Sequence, residues 1–415
     1  MLNLFFRTAI CIGITVAYAF GAAYSGSVAD AVSGKPIPGA IVTVVTTVVR
    51  TDAKGQFHIE GNGPRVVVNA RAYGYGRCQI NANPQNVQAL QLKLTPLVPR
   101  AVYLSFWGVG TASVREPIIH LAQQKLINAI VIDVKGDLGR VSFATGVPLA
   151  SQIGAQKIIT IPDIQSLLDR LHKQGIYAIG RIVTFKDNML CTARPALAVR
   201  RGEEIFKDRE GLTWCDPFSA EVRDYNIDLA VAAAKAGFDE IQFDYVRFPD
   251  AKDVEFSQAS TEESRPQTID GFLREARRRL IPYNVFLSAD VFGYICWNKG
   301  DTGIGQRIND VSEILDYICP MLYPSGFSFG IPKYRDPIAH PYDIVRLTLD
   351  RAGERTQIGP IRFRPWLQAF ADYAFDHRQF GPKEIQAQIK AAQDFGADGW
   401  LLWNPRNLYS AEEIR

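Results

Sequence analysis

The sequence predicts a mixed α/β fold, a (β/α)8 TIM barrel preceded by a small all-β sandwich domain. From residue 101 onward, strand-like and helix-like segments alternate, which is typical of a parallel sheet with helices outside. Eight strand-like units in about 315 residues suit a closed barrel better than an open sheet. Before Pro96, short β-rich runs alternate with turn residues instead.

The first 23 residues have the layout of a secretory signal peptide. Arg7 precedes an apolar run over residues 9–20, and small residues follow at 21–23. The mature chain is then expected to begin near Tyr24, in a secreted, periplasmic or cell-envelope protein. An uncleaved anchor is the alternative, although the apolar run is short for a full bilayer crossing.

Residues 24–96 form the predicted sandwich, in which turn residues separate Val-rich strands, as suits antiparallel sheets. This segment resembles the carboxypeptidase regulatory-like family. The resemblance implies a small β-sandwich that acts as a spacer, folding aid or adhesion surface. It rests on four motifs: Gly26-Ser27-Val28-Ala29-Asp30, Gly34-Lys35-Pro36-Ile37-Pro38-Gly39-Ala40, Thr51-Asp52-Ala53-Lys54-Gly55-Gln56-Phe57 and Ala72-Tyr73-Gly74-Tyr75.

The barrel domain is predicted over residues 100–415. Its strands are expected at 101–107, 127–135, 176–184, 240–247, 285–292, 317–323, 363–370 and 399–404. Its helices are expected at 114–126, 163–174, 219–236, 267–281, 304–315, 340–352 and 382–396, and the final segment allows a turn or two. Long loops follow strands three, four and six, at the end of a barrel where active sites lie.

Composition excludes some classes of partner and leaves one cysteine question open. With 46 Lys and Arg against 43 Asp and Glu, the net charge of +3 provides no strong field for nucleic acid or anionic lipid. Cys11 lies in the predicted leader, and the five remaining cysteines argue against a complete disulfide framework. Cys191 and Cys215 fall in one predicted loop and are able to pair in an oxidising compartment.

Two strand-end aspartates are the predicted catalytic residues. In the fourth strand, Ile241, Phe243 and Tyr245 share one face, and Gln242 and Asp244 share the other. The fifth strand repeats this pattern and places Asp290 on the corresponding face. Glycoside hydrolysis needs two carboxyl groups, one ionised and one protonated. Asp244 is therefore the predicted nucleophile or electrostatic stabiliser and Asp290 the predicted general acid/base, with helix capping or ion pairing as the structural alternative.

Charged neighbours extend this predicted site. Arg181 and Arg247 are expected to pair with the acids, because a nearby guanidinium favours an ionised carboxylate. Asp133 ends the second strand and is the alternative general acid, with Asp290 preferred.

Aromatic and amide side chains gather at the same predicted rim. Aromatic rings stack on the CH faces of sugars, and amides recognise hydroxyls. The predicted substrate-binding residues are Asp133, Arg181, Tyr245, Arg247, Tyr323, Trp366, Gln368, Trp403 and Asn404.

Other chemistries have little support in the sequence. The five histidines lack paired metal-ligand spacing, so no metal site is predicted. A Gly-Xaa-Ser-Xaa-Gly nucleophile elbow does not occur in the sequence. No cofactor is expected for two-carboxylate hydrolysis.

Residues 101–409 resemble a family of secreted bacterial glycosyl hydrolase domains. The most specific block is Asp239-Glu240-Ile241-Gln242-Phe243-Asp244-Tyr245-Val246-Arg247-Phe248-Pro249, supported by Gly180-Arg181-Ile182-Val183-Thr184-Phe185-Lys186-Asp187, Ser288-Ala289-Asp290-Val291-Phe292-Gly293 and Gly399-Trp400-Leu401-Leu402-Trp403-Asn404. The resemblance implies a glycoside hydrolase acting on a polysaccharide or oligosaccharide, with association with the cell envelope as a further expectation. Its strand-four aspartate is similar to the nucleophile position of α-amylase-like barrels. The alternative function is a non-catalytic carbohydrate-binding or cell-surface assembly protein.

Overall fold

The computed structural model describes residues 22–61, 66–83 and 89–415. The predicted signal peptide lies outside the described residues except for its last two, which begin the first strand. Within the described part of the chain, no helix combines the length and apolar character needed to cross a membrane.

The N-terminal strands form two facing sheets. One sheet has the order β4-β1-β7 and the other the order β3-β2-β5-β6. Alternate residues of β4 are buried, which is the pattern of a strand with one face on a core. Both sheets contribute to one apolar cluster that includes Val28, Val42 and Val68. The strands are β1 Ala22–Asp30, β2 Ile41–Val44, β3 Thr47–Arg50, β4 Gln56–Gly61, β5 Val66–Arg71, β6 Cys78–Ala82 and β7 Leu90–Leu94.

Eight parallel strands then close into a barrel. Each barrel strand pairs with the next in the chain, and the last pairs with the first. This confirms the predicted fold class, a TIM barrel preceded by an all-β domain. The barrel strands are β8 Arg100–Leu104, β9 Ala129–Lys135, β10 Tyr177–Val183, β13 Glu240–Asp244, β14 Phe286–Phe292, β15 Tyr317–Met321, β16 Trp366–Gln368 and β17 Trp400–Trp403. A short hairpin, β11 Arg200–Arg201 and β12 Glu204–Ile205, lies in the loop after β10.

Helices surround the barrel and begin and end at recognisable signals. The helix from Ala220 to Ala236 is capped by the Ser219 hydroxyl and ends at Gly237, whose φ of 112° suits glycine. The helices are α1 Phe106–Gly110, α2 Ala112–Gln123, α3 Pro148–Gln152, α4 Ile164–Lys173, α5 Asn188–Ala193, α6 Ala220–Ala236, α7 Ser264–Leu280, α8 Ile308–Ile314, α9 Pro341–Thr356, α10 Pro382–Phe395 and α11 Ala411–Ile414.

Side chains along each barrel strand alternate between two cores, one between the strands and the helices and one inside the barrel. Ile241 and Phe243 belong to the large cluster between strands and helices. The barrel interior has its own cluster, which includes Tyr103, Phe286 and Trp366. The alternate positions of β13 and β14 therefore face the interior, and Asp244 and Asp290 stand at its carboxyl end.

The sandwich covers the opposite end of the barrel. Arg77 donates to the Asp239 carboxylate at 2.9 Å and to the Gly237 carbonyl at 2.7 Å, both just before β13. Arg71 lies 3.9 Å from Asp316, just before β15. Because these contacts are all at the amino ends of the strands, the mouth at their carboxyl ends is left uncovered.

Candidate active site at the barrel mouth

Asp244 ends β13 in an ion pair with Arg181 from β10. Arg181 Nε and Nη2 donate to Asp244 Oδ2 at 2.9 and 2.6 Å. The backbone N–H of Tyr245 donates to Asp244 Oδ1 at 2.6 Å. The predicted pairing of Arg181 with a strand-end acid is thus present, and these donors fix the carboxylate in one orientation.

Asp290 lies near the carboxyl end of the neighbouring strand β14, two residues before its last residue, and has a different environment. Phe243 pairs with Ala289 in the β13–β14 ladder, so Asp244 and Asp290 follow in register on adjacent strands. Trp366 Nε1 donates to Asp290 Oδ1 at 2.6 Å. Burial, reinforced by the negative charge of Asp244, raises the pKa of Asp290 well above its ordinary value, against the lowering effect of Arg181. One acid is therefore matched by a cation, and the other favours its protonated form.

Asp133, the alternative acid, serves mainly to hold Arg181. Arg181 Nη1 donates to Asp133 Oδ1 at 2.7 Å. Tyr103 Oη and the Phe106 N–H donate to Asp133 Oδ2 at 2.7 and 3.0 Å. Burial raises the pKa of Asp133 to about 6, against the lowering effect of Arg181. Asp133 is 2% exposed and does not line the cavities at the mouth, so its observed contacts hold the Arg181 guanidinium in place.

Three adjoining cavities form a groove across the mouth. Their volumes are about 1100, 980 and 180 Å³, and all three are lined by Arg209, Tyr245 and Tyr373. Asp244 lines the smallest, central cavity. Asp290, by contrast, is only 2% exposed and lies behind the groove wall.

The turn after β13 brings Tyr245 into this groove. Tyr245 has a φ of 48°, in the left-handed region that non-glycine residues seldom adopt. The strand alternation therefore ends at Asp244, and the expected position of Tyr245 beside Ile241 and Phe243 is corrected. Its ring lines all three cavities.

Arg247 makes contacts other than the predicted ion pair. Its guanidinium lies 4.8 Å from the Trp214 ring centre and 5.4 Å from that of Tyr245. Arg247 Nη1 donates to the Phe248 carbonyl at 3.0 Å. The side chain lines both the largest and the central cavity, so it faces the groove without pairing to Asp244.

The other predicted sugar-contacting residues fall into two groups. Trp403 and Tyr323 line the groove, and Trp403 stacks on Tyr103 with ring centres 3.9 Å apart. Asn404 also lines it, but its amide donates to the Ala369 and Leu408 carbonyls at 2.6 and 2.9 Å. Trp366 and Gln368 are buried beneath the surface, so their position differs from a rim that contacts sugar.

Gln368 instead positions a loop. Gln368 Nε2 donates to Ser325 Oγ at 2.7 Å, and the Ser325 hydroxyl donates to Asp372 Oδ1 at 2.7 Å. Although burial opposes it, the hydrogen bonds from Ser325 and from the N–H groups of His377, Ala374 and Phe375 lower the pKa of Asp372 to about 2. This network fixes the segment that carries Tyr373.

Sequence reasoning missed several groove residues, which lie in the long loops after β10, β15 and β16. Long loops were predicted after strands three and six, which are β10 and β15, but not after strand seven, β16, and no spacing within any of them singles out a member. The exposed rings of Tyr373 and Phe329 and the charged groups of Arg209 and Glu210 are examples. Their selection depends on how each loop folds back over the mouth.

Cys191 and Cys215 are buried in the loop after β10. Their sulfur atoms are 2.7 Å apart, and both are free thiols. Throughout the described part of the chain, no three His, Cys, Asp or Glu side chains are grouped so that they could hold a metal ion.

Comparison with known proteins identifies the barrel. Residues 101–409 match the family model described as "Putative glycosyl hydrolase domain". The chain belongs to this family. The barrel is thus a glycosyl hydrolase-type domain. A comparison with curated proteins finds no match.

Solved structures give further similarities. A hypothetical protein from Ruminiclostridium thermocellum ATCC 27405 is 38% identical over 46% of this chain and 97% of that one, with a TM-score of 0.41. The PgaB (BpsB) glycoside hydrolase domain from Bordetella bronchiseptica is 13% identical over 75% of this chain and 95% of that one, with a TM-score of 0.52. The second similarity is one of fold.

Proposed function

We propose that the barrel hydrolyses O-glycosidic bonds of a polysaccharide or oligosaccharide, with Asp244 and Asp290 as its two carboxyl groups. The observation that carries this proposal is the contrast between the two acids. They follow in register on adjacent strands, yet Asp244 is paired with Arg181 while the pKa of Asp290 is raised well above its ordinary value. Such a division of two neighbouring carboxyls is what acid and nucleophile roles require.

In the proposed reaction, protonated Asp290 gives its proton to the leaving glycosidic oxygen. Asp244 attacks the anomeric carbon as a nucleophile, or its charge stabilises the oxocarbenium-like transition state. Water then adds to the anomeric carbon, its proton passes to the Asp290 carboxylate, and Asp244 is released where it had formed a covalent bond. Arg181 and the Tyr245 N–H hold both Asp244 oxygens in place. This preorganisation spares the reorganisation that a free carboxylate would need.

The shape of the groove supports an extended substrate. The two larger cavities, of about 1100 and 980 Å³, each share Arg209, Tyr245 and Tyr373 with the smaller one that Asp244 lines. Tyr373 and Phe329 are 52% and 79% exposed, which offers ring faces for stacking on sugars. A chain of several sugar units would cross the groove with the cleaved bond near Asp244.

The burial of Asp290 favours a second candidate function, carbohydrate binding without turnover. A general acid must come within hydrogen-bond reach of the leaving oxygen. Asp290 is 2% exposed and is bonded to Trp366. In the second candidate, the groove binds a glycan for cell-surface assembly and Asp290 is a structural partner of Trp366.

A glycan-panel digestion with mass-spectrometric product analysis separates the two functions. Hydrolysis predicts products with the wild-type chain and a loss of at least about 1000-fold with Asp244→Asn, on the scale of removing a catalytic carboxylate. Asp169→Asn, on the exposed outer face of α4, is the matched control and should leave activity unchanged. Full activity in Asp244→Asn overturns the hydrolytic mechanism. Binding without any product supports the second candidate.

We also propose that the chain is exported and that its sandwich is a carboxypeptidase regulatory-like module. The leader pattern of residues 1–23 and the four turn motifs of residues 24–96 support these proposals. Amino-terminal sequencing of the protein from its native host tests export. A start near Tyr24 is expected, and an intact Met1 contradicts cleavage.

A further inference from the structure

Two cations at the barrel mouth, Arg181 and Lys186, are already neutralised by carboxylates. Arg181 bonds to the carboxylates of Asp133, Asp137 and Asp244. Lys186 lies 3.3 Å from Asp208 and 2.5 Å from Glu210. These pairs use most of the acids that the mouth provides.

Arg247 has no such carboxylate partner in the part of the chain that the structure describes. Among the described residues, only the Phe248 carbonyl accepts a hydrogen bond from its guanidinium, which carries five N–H donors. The charges of Asp244, Asp250 and Asp208 act on it through space, but none of these acids forms an ion pair with it. Burial lowers the pKa of Arg247 below its ordinary value, so the charge is partly desolvated without a compensating anion.

The position of Arg247 is nevertheless well defined. The adjoining rings of Trp214 and Tyr245 lie against it, with ring centres 4.8 and 5.4 Å from its guanidinium carbon. Trp214 is itself held by a hydrogen bond from Nε1 to Asp208 at 3.0 Å. A planar guanidinium packed against two aromatic rings is preorganised for a planar anion.

A second arginine borders the same space. Arg209 is exposed and lines all three cavities. Within the described ranges it forms neither a hydrogen bond nor an ion pair with another side chain. The central cavity of about 180 Å³ therefore carries two uncompensated guanidinium groups, and its single carboxylate, Asp244, is matched by Arg181. Such a space equals that of about six liquid water molecules, the scale of one sugar ring.

We propose that Arg247 and Arg209 form a subsite for the carboxylate of an acidic sugar, so that the substrate is an oligosaccharide containing uronic acid. Cleavage of such a substrate rests on the hydrolytic function proposed above. Binding of its carboxylate by the two arginines does not depend on that function. Arg247 binds the carboxylate beside Asp244, and Arg209 adds charge at the entrance. A neutral glycan of the same length leaves both arginines uncompensated.

Calorimetric titration tests this subsite in the Asp244→Asn background, where turnover does not interfere. The probes are oligomers of galacturonate, mannuronate and glucuronate, each paired with its carboxyl-reduced neutral form. For at least one pair we expect the acidic form to bind more tightly, with a preference that falls as salt increases. Arg247→Gln should weaken binding of that acidic form by about 10- to 100-fold and leave its neutral form unchanged.

Arg209→Gln keeps the test decisive if Arg247→Gln fails to fold, since Arg209 is exposed. Arg209→Gln should also reduce the preference for the acidic over the neutral oligomer, by a smaller factor than Arg247→Gln does. Arg274→Gln, on the exposed face of α7, is the matched control for loss of one positive charge and should change neither affinity. Equal binding of acidic and neutral forms overturns the proposal. So does tight acidic binding that neither arginine substitution weakens, or a preference for sulfated over uronate oligomers.

Product analysis with the wild-type chain distinguishes this proposal from the hydrolytic one. Acidic preference through Arg247 without any cleavage supports the subsite and contradicts hydrolysis. Cleavage of a neutral glycan with no acidic preference contradicts the subsite and supports hydrolysis.

Discussion

Replacing Arg181 with methionine tests the ion network beneath the candidate site. Arg181 donates four hydrogen bonds, between 2.6 and 3.1 Å long, to three carboxylates, and its side chain is fully buried. Arg181→Met leaves Asp133 and Asp244 buried beside each other without their cation. Breaking a buried ion pair in this way costs about 3–5 kcal/mol.

The expected loss is measurable as a melting temperature. Unfolding entropy scales at about 2 cal/mol/K per residue, so a loss of that size lowers the Tm of the barrel by about 5–8 °C. Arg274→Met, on an exposed helical face, is the matched control and should change stability by less than about 0.5 kcal/mol.

The loss should also depend on pH. Burial already raises the pKa of Asp133 to about 6 while Arg181 opposes it. Without Arg181 the folded-state pKa rises further above its unfolded value, so the folded variant binds more protons than the unfolded chain. Its stability therefore falls as the pH rises, and its deficit against wild type shrinks from about pH 7 to about pH 5. A deficit under about 1 kcal/mol at neutral pH, or one that does not change with pH, refutes this reasoning.

Three other predictions concern the surrounding structure. Because hydrogen bonds lower the folded-state pKa of Asp372 to about 2, its stabilising effect is present above its ordinary value of 3.8 and is lost as the pH falls toward 2. Urea titrations should show the difference between wild type and Asp372→Asn disappearing over that range, and a constant difference contradicts this. In a glutathione redox buffer, Cys191 and Cys215 should form a disulfide that raises stability by about 3 kcal/mol. Counting the reactive thiols of the oxidised, then unfolded chain checks this disulfide. If every cysteine still reacts as a free thiol, no disulfide has formed and the prediction is wrong. Arg77→Ala removes the contacts to Asp239 and the Gly237 carbonyl. Amide hydrogen exchange in the loop before β13 should therefore become faster. Unchanged exchange would show that other contacts hold the sandwich against the barrel.

Sequence periodicity was sufficient for the fold and for the faces of the strands. Alternation alone placed Asp244 and Asp290 on one side, because neighbouring parallel strands keep a fixed register. It also placed Arg181 near the acids. These features depend on local geometry that repeats along each strand.

Features that depend on loop conformation could not be predicted in the same way. Period-two alternation ends at the left-handed turn of Tyr245, so the position of Tyr245 and the environment of Arg247 follow from that turn. Trp366 was expected at the rim, but it is the first residue of β16 and its ring belongs to the barrel-interior cluster, 1% exposed. Arg209 and Tyr373 belong to loops whose contacts across the mouth have no periodic signature.

The most direct test of the two-carboxylate account is cleavage of a glycan, identified by the panel, by the wild-type chain, Asp244→Asn and Asp290→Asn. The account predicts that both substitutions abolish cleavage while glycan binding persists. It also predicts that an added small carboxylic acid partly restores activity to Asp290→Asn, since that variant lacks only its proton donor. Wild-type rates in either variant would contradict the account.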